Sequence, residues 1–336
     1  MARIQLLSEE VRNRIAAGEV LERPASAVKE LVENAIDAGA TSIDIDIEDG
    51  GVGLIRVSDN GSGIQPDELP TALLRHATSK IASVDDIFRI TTMGFRGEAL
   101  PSLASVSHME IVSRPHNAAS AMRIAATAGE VTAEGPAARA PGTAVIARDL
   151  FFNTPARRKF LKSAAAEVAA ITEMLVRLAL PHPEIAFRAT NGGRLMLELP
   201  AQADVLSRVG SLFGASVAQK LIAVNHVADE GFMVSGFVAP PTETRTTRKM
   251  IYTFLNRRWI QSNSVASAVR REYETLIPKG RFPLAFLFLG ISPDRVDVNV
   301  HPAKIEVRFQ DERNVFGAVA RAVRSALHGV DLTPPY

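Results

Sequence analysis

The chain has 336 residues, of which 46% are hydrophobic and 22% charged, and its formal net charge is +1 at pH 7. This composition is typical of a globular protein, and the length predicts one large or two ordinary domains. There is no cysteine, which excludes disulfides, thiolate zinc sites and cysteine nucleophiles. No apolar run reaches the roughly 18–20 residues of a membrane helix, so we expect a cytoplasmic protein with no membrane partner.

The first predicted helix begins at Pro24, because proline suits a first helical turn, and ends at Gly39. Glu30, Asn34 and Asp37 follow one another at i, i+4 and i+7, so they lie on one polar stripe of this helix. A carboxamide oxygen can bind Mg²⁺, and a carboxylate can hold or deprotonate a water molecule. Taken alone, the stripe also fits an ordinary solvated helix face.

Two predicted strands follow, at 43–47 and 54–57, where apolar and polar residues alternate. The second ends at Asp59, which begins the segment Asp-Asn-Gly-Ser-Gly. Its two glycines, Gly61 and Gly63, let the backbone approach a flat ligand closely. The Asp59 carboxylate could then accept a hydrogen bond from an exocyclic amine such as that of adenine. An ordinary turn is the alternative.

Residues 61–100 are rich in glycine, serine, threonine and charge, which predicts loops and short helices. Within them, Gly94 and Gly97 would free backbone N–H groups for an anion, and a helix starting near Glu98 would add its positive end. Plain surface loops are the alternative. The chain has neither a P-loop motif nor a G-x-G-x-x-G, which disfavours P-loop and dinucleotide-binding enzymes.

The pattern predicts a first domain over 1–204, a second over 205–331 and the start of a linker at 332–336. Further elements are predicted as strands at 142–146, 232–238, 251–255, 285–291 and 305–309, helices at 163–180, 264–276 and 314–327, and a hairpin over 185–199. Residues 236–281 include nine basic residues and only three acidic ones. This local excess indicates a polyanionic partner.

Four segments, taken in order, resemble the nucleotide-binding motifs of the GHKL superfamily of ATPases: 30–38, 59–63, 94–100 and 142–143. Within that superfamily, the bacterial MutL family of DNA mismatch-repair proteins is similar at residues 15–20, 94–100, 153–161 and 296–304. The resemblance runs from about residue 3 to 328. It covers only the N-terminal part of that family's architecture, so we expect no nuclease site in this chain.

The resemblance implies an α/β fold, with a GHKL-type (Bergerat) α/β sandwich followed by a ribosomal protein S5 domain 2-like α/β domain. It also implies ATP and Mg²⁺ as ligands. Glu30 would be the general base, Asn34 the Mg²⁺ ligand, and Lys304 of the second domain the contact to the γ-phosphate. Asp59 would read the adenine amine, with Gly63 and Thr143 beside it. A phosphate-binding lid would consist of Thr78, Ser79, Lys80, Gly94, Phe95, Arg96, Gly97, Glu98, Ala99 and Leu100.

In function, the resemblance implies slow ATP hydrolysis that drives pairing of two protomers through the lid and an N-terminal arm at 1–7. It implies sequence-independent DNA binding, with Arg270 as a contact, and a nucleoid-associated location. A MutS-type mismatch-recognition protein and a downstream nuclease or helicase would be the partners. The alternatives are an ATPase fragment of a gyrase-type topoisomerase and an adaptor that binds ATP as a clamp without significant hydrolysis.

Overall fold

The computed structural model describes residues 21–80, 92–94, 97–228, 231–297 and 307–329. The chain divides into two compact units. Unit one contains the described residues up to 179 and residues 184–202, and unit two contains residues 180–183 and the described residues from 203 onward. The domain limits expected from the sequence, 1–204 and 205–331, stay a prediction, because both ranges include residues outside the described part of the chain.

Unit one is built on one eight-stranded sheet with the strand order β5-β4-β3-β6-β2-β1-β7-β8. Its strands are β1 (Ser42–Glu48), β2 (Leu54–Asp59), β3 (His108–Arg114), β4 (Ala121–Thr127), β5 (Glu130–Ala137), β6 (Gly142–Arg148), β7 (Ala186–Asn191) and β8 (Arg194–Leu199). Its helices are α1 (Pro24–Asp37), α2 (Ala99–Ser105), α3 (Pro155–Phe160) and α4 (Ala164–Ala179). Short 3-10 turns lie at Asp49–Gly51 and Thr71–Leu73.

The sheet of unit one is mixed. β1 pairs in parallel with β7, whereas every other neighbouring pair is antiparallel. The isoleucines of β1 alternate with acidic residues, and Ile43, Ile45 and Ile47 are each at most 1% exposed. Burying one such side chain stabilises a fold by roughly 1.5–3 kcal/mol. The predicted strands at 43–47, 54–57 and 142–146 and the 185–199 hairpin are therefore confirmed.

Helix α1 confirms the helix predicted from Pro24. Its apolar face, including Val28, Leu31 and Val32, is buried, and it packs beside α4. The other stripe of α1 faces the segments that follow β2 and precede α2. Strands β3, β4 and β5 were not predicted. The edge strand β5 is mostly exposed, so it carries no apolar alternation that could have indicated a strand.

Unit two contains a five-stranded sheet with the order β13-β12-β15-β10-β9 and two short ribbons, β11-β14 and β16-β17. The strands are β9 (Ile222–Val227), β10 (Met233–Val238), β11 (Thr244–Arg245), β12 (Ile251–Leu255), β13 (Arg258–Ile260), β14 (Phe282–Pro283), β15 (Ala285–Gly290), β16 (Val296–Asp297) and β17 (Arg308–Phe309). The helices are α5 (Val205–Phe213), α6 (Ala215–Ala218), α7 (Asn263–Tyr273) and α8 (Glu312–His328). Short 3-10 turns lie at Arg248–Met250 and Pro293–Arg295.

The core of unit two forms between this sheet and helices α7 and α8. The predicted strands at 232–238, 251–255 and 285–291 and the predicted helices at 264–276 and 314–327 are confirmed, with ends that differ by a few residues. Helix α7 ends at Tyr273, whose hydroxyl is buried and donates a hydrogen bond to the carbonyl oxygen of Ala239. Of the strand expected at 305–309, residues 307–309 are described, and Arg308–Phe309 form β17. Among the described residues, no helix is long and apolar enough to cross a membrane.

Candidate nucleotide site

Four separated segments of unit one meet around the carboxyl end of α1. Gly94 donates its backbone N–H to Asp37 of α1 at 3.1 Å. Ser62, after β2, donates its N–H to the carbonyl oxygen of Ala38 at 2.9 Å. Thr143 of β6 donates its N–H to the Asp59 carboxylate at 3.2 Å. The structure therefore brings together all four segments that carry the GHKL resemblance.

Glu30 lies on the polar stripe of α1 beside a lysine. The ammonium of Lys29 is 3.1 Å from Glu30 Oε1 and 2.9 Å from Glu33 Oε2. Burial lowers the pKa of Lys29, but its attraction to Glu33 and Glu30 more than offsets this, so the pKa is raised. Lys29 therefore stays charged and holds the Glu30 carboxylate in place.

A second lysine lies at the end of the stripe. The Lys80 ammonium donates to Asn34 Oδ1 at 2.8 Å and to Asp37 Oδ2 at 2.6 Å. The Asp37 side chain is only 7% exposed, and its Oδ1 also accepts the Met93 N–H at 2.8 Å. We call these residues, Asn34, Asp37, Lys80, Met93 and Gly94, the Asp37 cluster. Asp37 was placed on the stripe by the helical spacing, but its role as the central acceptor was missed.

The segments at 75–80 and 94–100 are joined through a tight contact. Gly97 has φ +61, and a Cβ there would lie 2.3 Å from the carbonyl oxygen of Ala77. Thr78 Oγ1 accepts the backbone N–H of Lys80 at 3.1 Å. Glu98 is 3.7 Å from the His76 ring. Of the remaining lid residues, Ser79 is exposed, and Ala99 and Leu100 begin helix α2.

Asp59 is the centre of a different arrangement. Its Oδ1 accepts the backbone N–H groups of Gly61 at 2.8 Å and Thr143 at 3.2 Å. Burial raises the pKa of Asp59, although these two hydrogen bonds and the charge of Arg139 act in the opposite direction. The guanidinium of Arg139 also donates to the backbone carbonyl oxygen of Asp59. This half-buried carboxylate is therefore held by backbone donors from the bend after β2 and from β6.

Hydroxyl groups behind Asp59 complete this end of the site. The hydroxyls of Ser113 and Thr143 are 2.9 Å apart and buried, and Ser113 Oγ accepts the N–H of Ile64 at 2.8 Å. Gly63 has φ +74, and a Cβ on it would lie 2.5 Å from the carbonyl oxygen of Arg114. We call Asp59, Gly61, Gly63, Ser113 and Thr143 the Asp59 cluster. Ser113 was missed because β3 was not predicted, although every second residue of this strand from Met109 onward is buried.

Three predicted site residues lie outside the described residues: Phe95, Arg96 and Lys304. The same holds for the N-terminal arm at 1–7. Their roles stay predictions.

The Asp37 cluster fits Mg²⁺ in its donor chemistry. Asn34 Oδ1 already faces a cation, the Lys80 ammonium, and carbonyl and carboxylate oxygens are ligands that Mg²⁺ accepts. Among the described residues, no group of three or more histidine, aspartate or glutamate side chains could hold a metal ion. A magnesium ion bound at Asn34 would therefore depend on oxygens from a ligand, as is usual where Mg²⁺ accompanies phosphates.

In unit two, two acidic residues of the basic segment 236–281 form ion pairs both inside and outside it. Glu243 pairs with Lys220 and with Arg245, and Glu272 pairs with Arg324 and with Arg271. Arg270 is partly exposed on α7, and its guanidinium donates to Ser267 Oγ at 2.9 Å.

Two family models match the chain. One, described as histidine kinase-, DNA gyrase B-, and HSP90-like ATPase, matches residues 22–141, and the other, described as DNA mismatch repair protein, C-terminal domain, matches residues 209–328. The DNA mismatch repair protein MutL of Symbiobacterium thermophilum is 48% identical to this chain over 334 residues. The chain belongs to the MutL family. It aligns over 99% of its own length but spans only 52% of the length of that MutL relative.

Solved structures agree with this assignment. The Aquifex aeolicus MutL ATPase domain complexed with ADP has a TM-score of 0.65 at 28% identity, over 90% of this chain and 98% of that one. A structure described as the N-terminal domain of a DNA repair protein has a TM-score of 0.80 at 25% identity, over 94% of this chain and 98% of that one. The predicted family and the predicted α/β GHKL fold class are thus confirmed, and the MutL assignment replaces the gyrase-type alternative.

Proposed function

We propose that this MutL chain binds ATP together with Mg²⁺ and hydrolyses it slowly. The observation that carries the proposal is the meeting of the four motifs at the end of α1, where Asp59 lies on one side and the Asp37 cluster on the other. Phosphoryl transfer mainly requires positioning and charge neutralisation. At one end the site supplies a carboxylate for the adenine base. At the other end it supplies cations and backbone N–H groups for the phosphates.

In this proposal, the Asp59 carboxylate accepts a hydrogen bond from the adenine amine, with Gly63 and Thr143 beside the base. Because the carboxylate is held by two backbone N–H groups, it needs little reorganisation on binding. The close packing at Gly63 keeps the backbone flat against the ligand. An ordinary turn would not require such a contact between the loop after β2 and the end of β3.

Glu30 is proposed to orient and deprotonate the attacking water. The water oxygen would bond to the γ-phosphorus, the bond to the ADP oxygen would break, and the proton would pass to Glu30. Lys29 would keep the carboxylate in position, since it contacts Glu30 Oε1 at 3.1 Å. Mg²⁺, held by Asn34, would offset charge on the phosphates. The lid, which consists of Thr78–Lys80 and Gly94–Leu100, would donate N–H groups to them. Lys304 of the second domain would contact the γ-phosphate.

ATP would act as a switch in the wider function. Nucleotide binding would order the lid and pair two protomers through the N-terminal arm, and hydrolysis would reset the pair. Unit two would bind DNA through phosphate contacts, with Arg270 as a contact residue, independently of sequence. In this way the protein would couple a MutS-type mismatch-recognition protein to a downstream nuclease or helicase.

The first test separates hydrolysis from binding. Glu30→Gln keeps the size of the side chain but removes the base, so phosphate release should fall by roughly 10²–10⁴-fold while ADP and ATP affinities stay within a few-fold. Asp67→Asn, a change at an exposed acid after β2, is the control. If wild type and Glu30→Gln release phosphate equally slowly, the ATP-clamped adaptor is the better description.

A second test concerns DNA. Arg270→Glu should weaken binding of a duplex and flatten its salt dependence, because one phosphate contact is lost, and nucleotide affinity should be unchanged. Arg194→Glu makes the same charge reversal at an exposed position of β8 in unit one. Equal loss in both variants would show that net charge alone, and no groove at Arg270, governs binding.

A third test concerns the pairing of protomers. If the protomers pair on nucleotide binding, sedimentation with a nonhydrolysable ATP analogue should show a doubled mass.

A further inference from the structure

Lys80 makes an unusual pair of contacts for a lysine of a phosphate-binding segment. Its ammonium donates to both Asn34 Oδ1 and Asp37 Oδ2, at 2.8 and 2.6 Å. These two oxygens therefore converge on one cationic atom. Asn34 Oδ1 is also the oxygen proposed to bind Mg²⁺, so the lysine and the metal would use the same acceptor.

Two cations on one carbonyl oxygen repel each other strongly in a partly buried site. The Lys80 side chain is 20% exposed and that of Asp37 is 7% exposed, so water screens this repulsion only weakly. The Asp37 carboxylate balances one positive charge, and the N–H groups of Met93 and Gly94 already occupy it as well. A free divalent ion would therefore meet a position whose charge is already compensated.

We propose that Lys80 is the resident cation of the Asn34–Asp37 pair and prevents Mg²⁺ from binding there before the nucleotide does. This inference rests on the proposed binding of Mg²⁺ with ATP. The phosphates of the nucleotide bring several negative charges, which balance both cations, and they offer the ammonium new acceptors. Metal binding thereby becomes conditional on nucleotide, and α1 keeps its two acceptors aligned in the meantime.

Contact with both Asn34 and Asp37 is a feature of Lys80 and not of every lysine near α1, as Lys29 illustrates. Lys29 instead pairs with Glu30 and Glu33, at 3.1 and 2.9 Å. Lys80 comes from outside the helix, and its backbone is held by Thr78 Oγ1. The segment that is proposed to bind phosphate is thus also the one that fills the metal position.

The experiment measures Mn²⁺, a paramagnetic substitute for Mg²⁺, by electron paramagnetic resonance of the free ion. Without nucleotide, the wild-type chain should bind no Mn²⁺ at this pair, whereas Lys80→Met should bind one ion at least tenfold more tightly. Lys80→Arg keeps the charge and should behave like wild type. The double change Lys80→Met with Asp37→Asn should lose the gain, because one of the two oxygen ligands loses its charge.

Lys220→Met is the matched control, since it also releases a carboxylate, Glu243, from its lysine partner. A similar gain of Mn²⁺ affinity in this control would overturn the assignment to Lys80. Thermal unfolding of each variant ensures that the compared proteins are folded. The proposal is also overturned if Lys80→Met gains no affinity, if the gain survives Asp37→Asn, or if wild type binds Mn²⁺ at the pair without nucleotide.

Adding ADP distinguishes this inference from the proposed function. Wild type should bind Mn²⁺ only when ADP is present. If ADP binds without recruiting the ion, the magnesium role of Asn34 fails, whatever the result for Lys80→Met alone. If ADP recruits the ion in wild type while Lys80→Met binds none in its absence, the nucleotide site stands and the inference about Lys80 falls.

Discussion

The two ends of the proposed nucleotide site are held in different ways. The Asp59 cluster is fixed by backbone, since two N–H groups bind the carboxylate and Gly63 leaves no room for a side chain. The Asp37 cluster is held by charge, with an ammonium and two N–H groups around one carboxylate. The first joins three strands, β2, β3 and β6, with the loop after β2, whereas the second joins a helix to loop segments.

This difference matches what each end would have to do. A base is rigid and always the same, so a site that reads it gains from fixed donors and acceptors. Phosphates arrive with a metal and leave changed, so their site needs contacts that can be exchanged. Ion pairs exchange partners readily, whereas close-packed backbone does not. Substitutions at the Asp59 cluster should therefore affect the fold and base recognition together, and those at the Asp37 cluster should affect ligands first.

The largest effect is expected for Gly63→Ala. With φ +74 and the Arg114 carbonyl oxygen 2.5 Å from the new Cβ, the loop after β2 must move away from the end of β3, at a cost of about 3 kcal/mol or more. Gly192→Ala is the control, because Gly192 also has positive φ, +54, but nothing lies within 4 Å; it should cost about 1 kcal/mol. Thermal or urea unfolding measures both. Equal costs would show that packing at Gly63 contributes nothing beyond backbone strain.

Asp59→Asn should have an intermediate effect. The amide oxygen still accepts the N–H groups of Gly61 and Thr143, so the fold should be retained. The hydrogen bond from adenine to a charged acceptor is lost, which should weaken ADP binding roughly 10- to 100-fold. Calorimetric titration with ADP and with GDP measures the two affinities, and the ratio of ADP affinity to GDP affinity should decrease. An unchanged preference would mean that Asp59 does not read the base.

The smallest effect concerns pH. Burial raises the pKa of Asp59 above its usual value of 3.8, so on acidification ADP affinity should begin to fall at a pH higher than that value. The folded chain then binds the proton more tightly than the unfolded chain does. The contribution of Asp59 to stability is therefore full below pH 3.8 and is lost as pH rises through the raised pKa.

Acidification should thus weaken binding while it favours the fold through this one group. Measuring ADP affinity against pH for Asp59→Asn as well corrects for protonation of the nucleotide itself. If both proteins have the same pH profile, Asp59 is not the group that titrates. A profile that differs only below pH 3.8 would contradict the raised pKa.

The elements predicted correctly are those with a strong local pattern. Helix α1 has an apolar stripe, β1 alternates, and α8 repeats its apolar residues at helical spacing, so short-range periodicity determines each of them. Strand β5 is mostly exposed and β4 is rich in alanine, so neither has a clear apolar alternation. Strand β3 was also missed, although every second residue from Met109 to Ser113 is buried. The Asp37 cluster was only partly predicted. The polar stripe of α1 indicated the two acceptors, but no local pattern indicated that Lys80, 43 residues after Asp37, would contact them.

The sequence by itself determined the family, the polar stripe of α1 and the order of the nucleotide motifs, because residue types at fixed spacing carry that information. Tertiary structure decided which groups meet. It placed Lys80 on Asn34 and Asp37, and Ser113 behind Thr143. Such contacts depend on sheet pairing and loop paths over dozens of residues, and local spacing records neither.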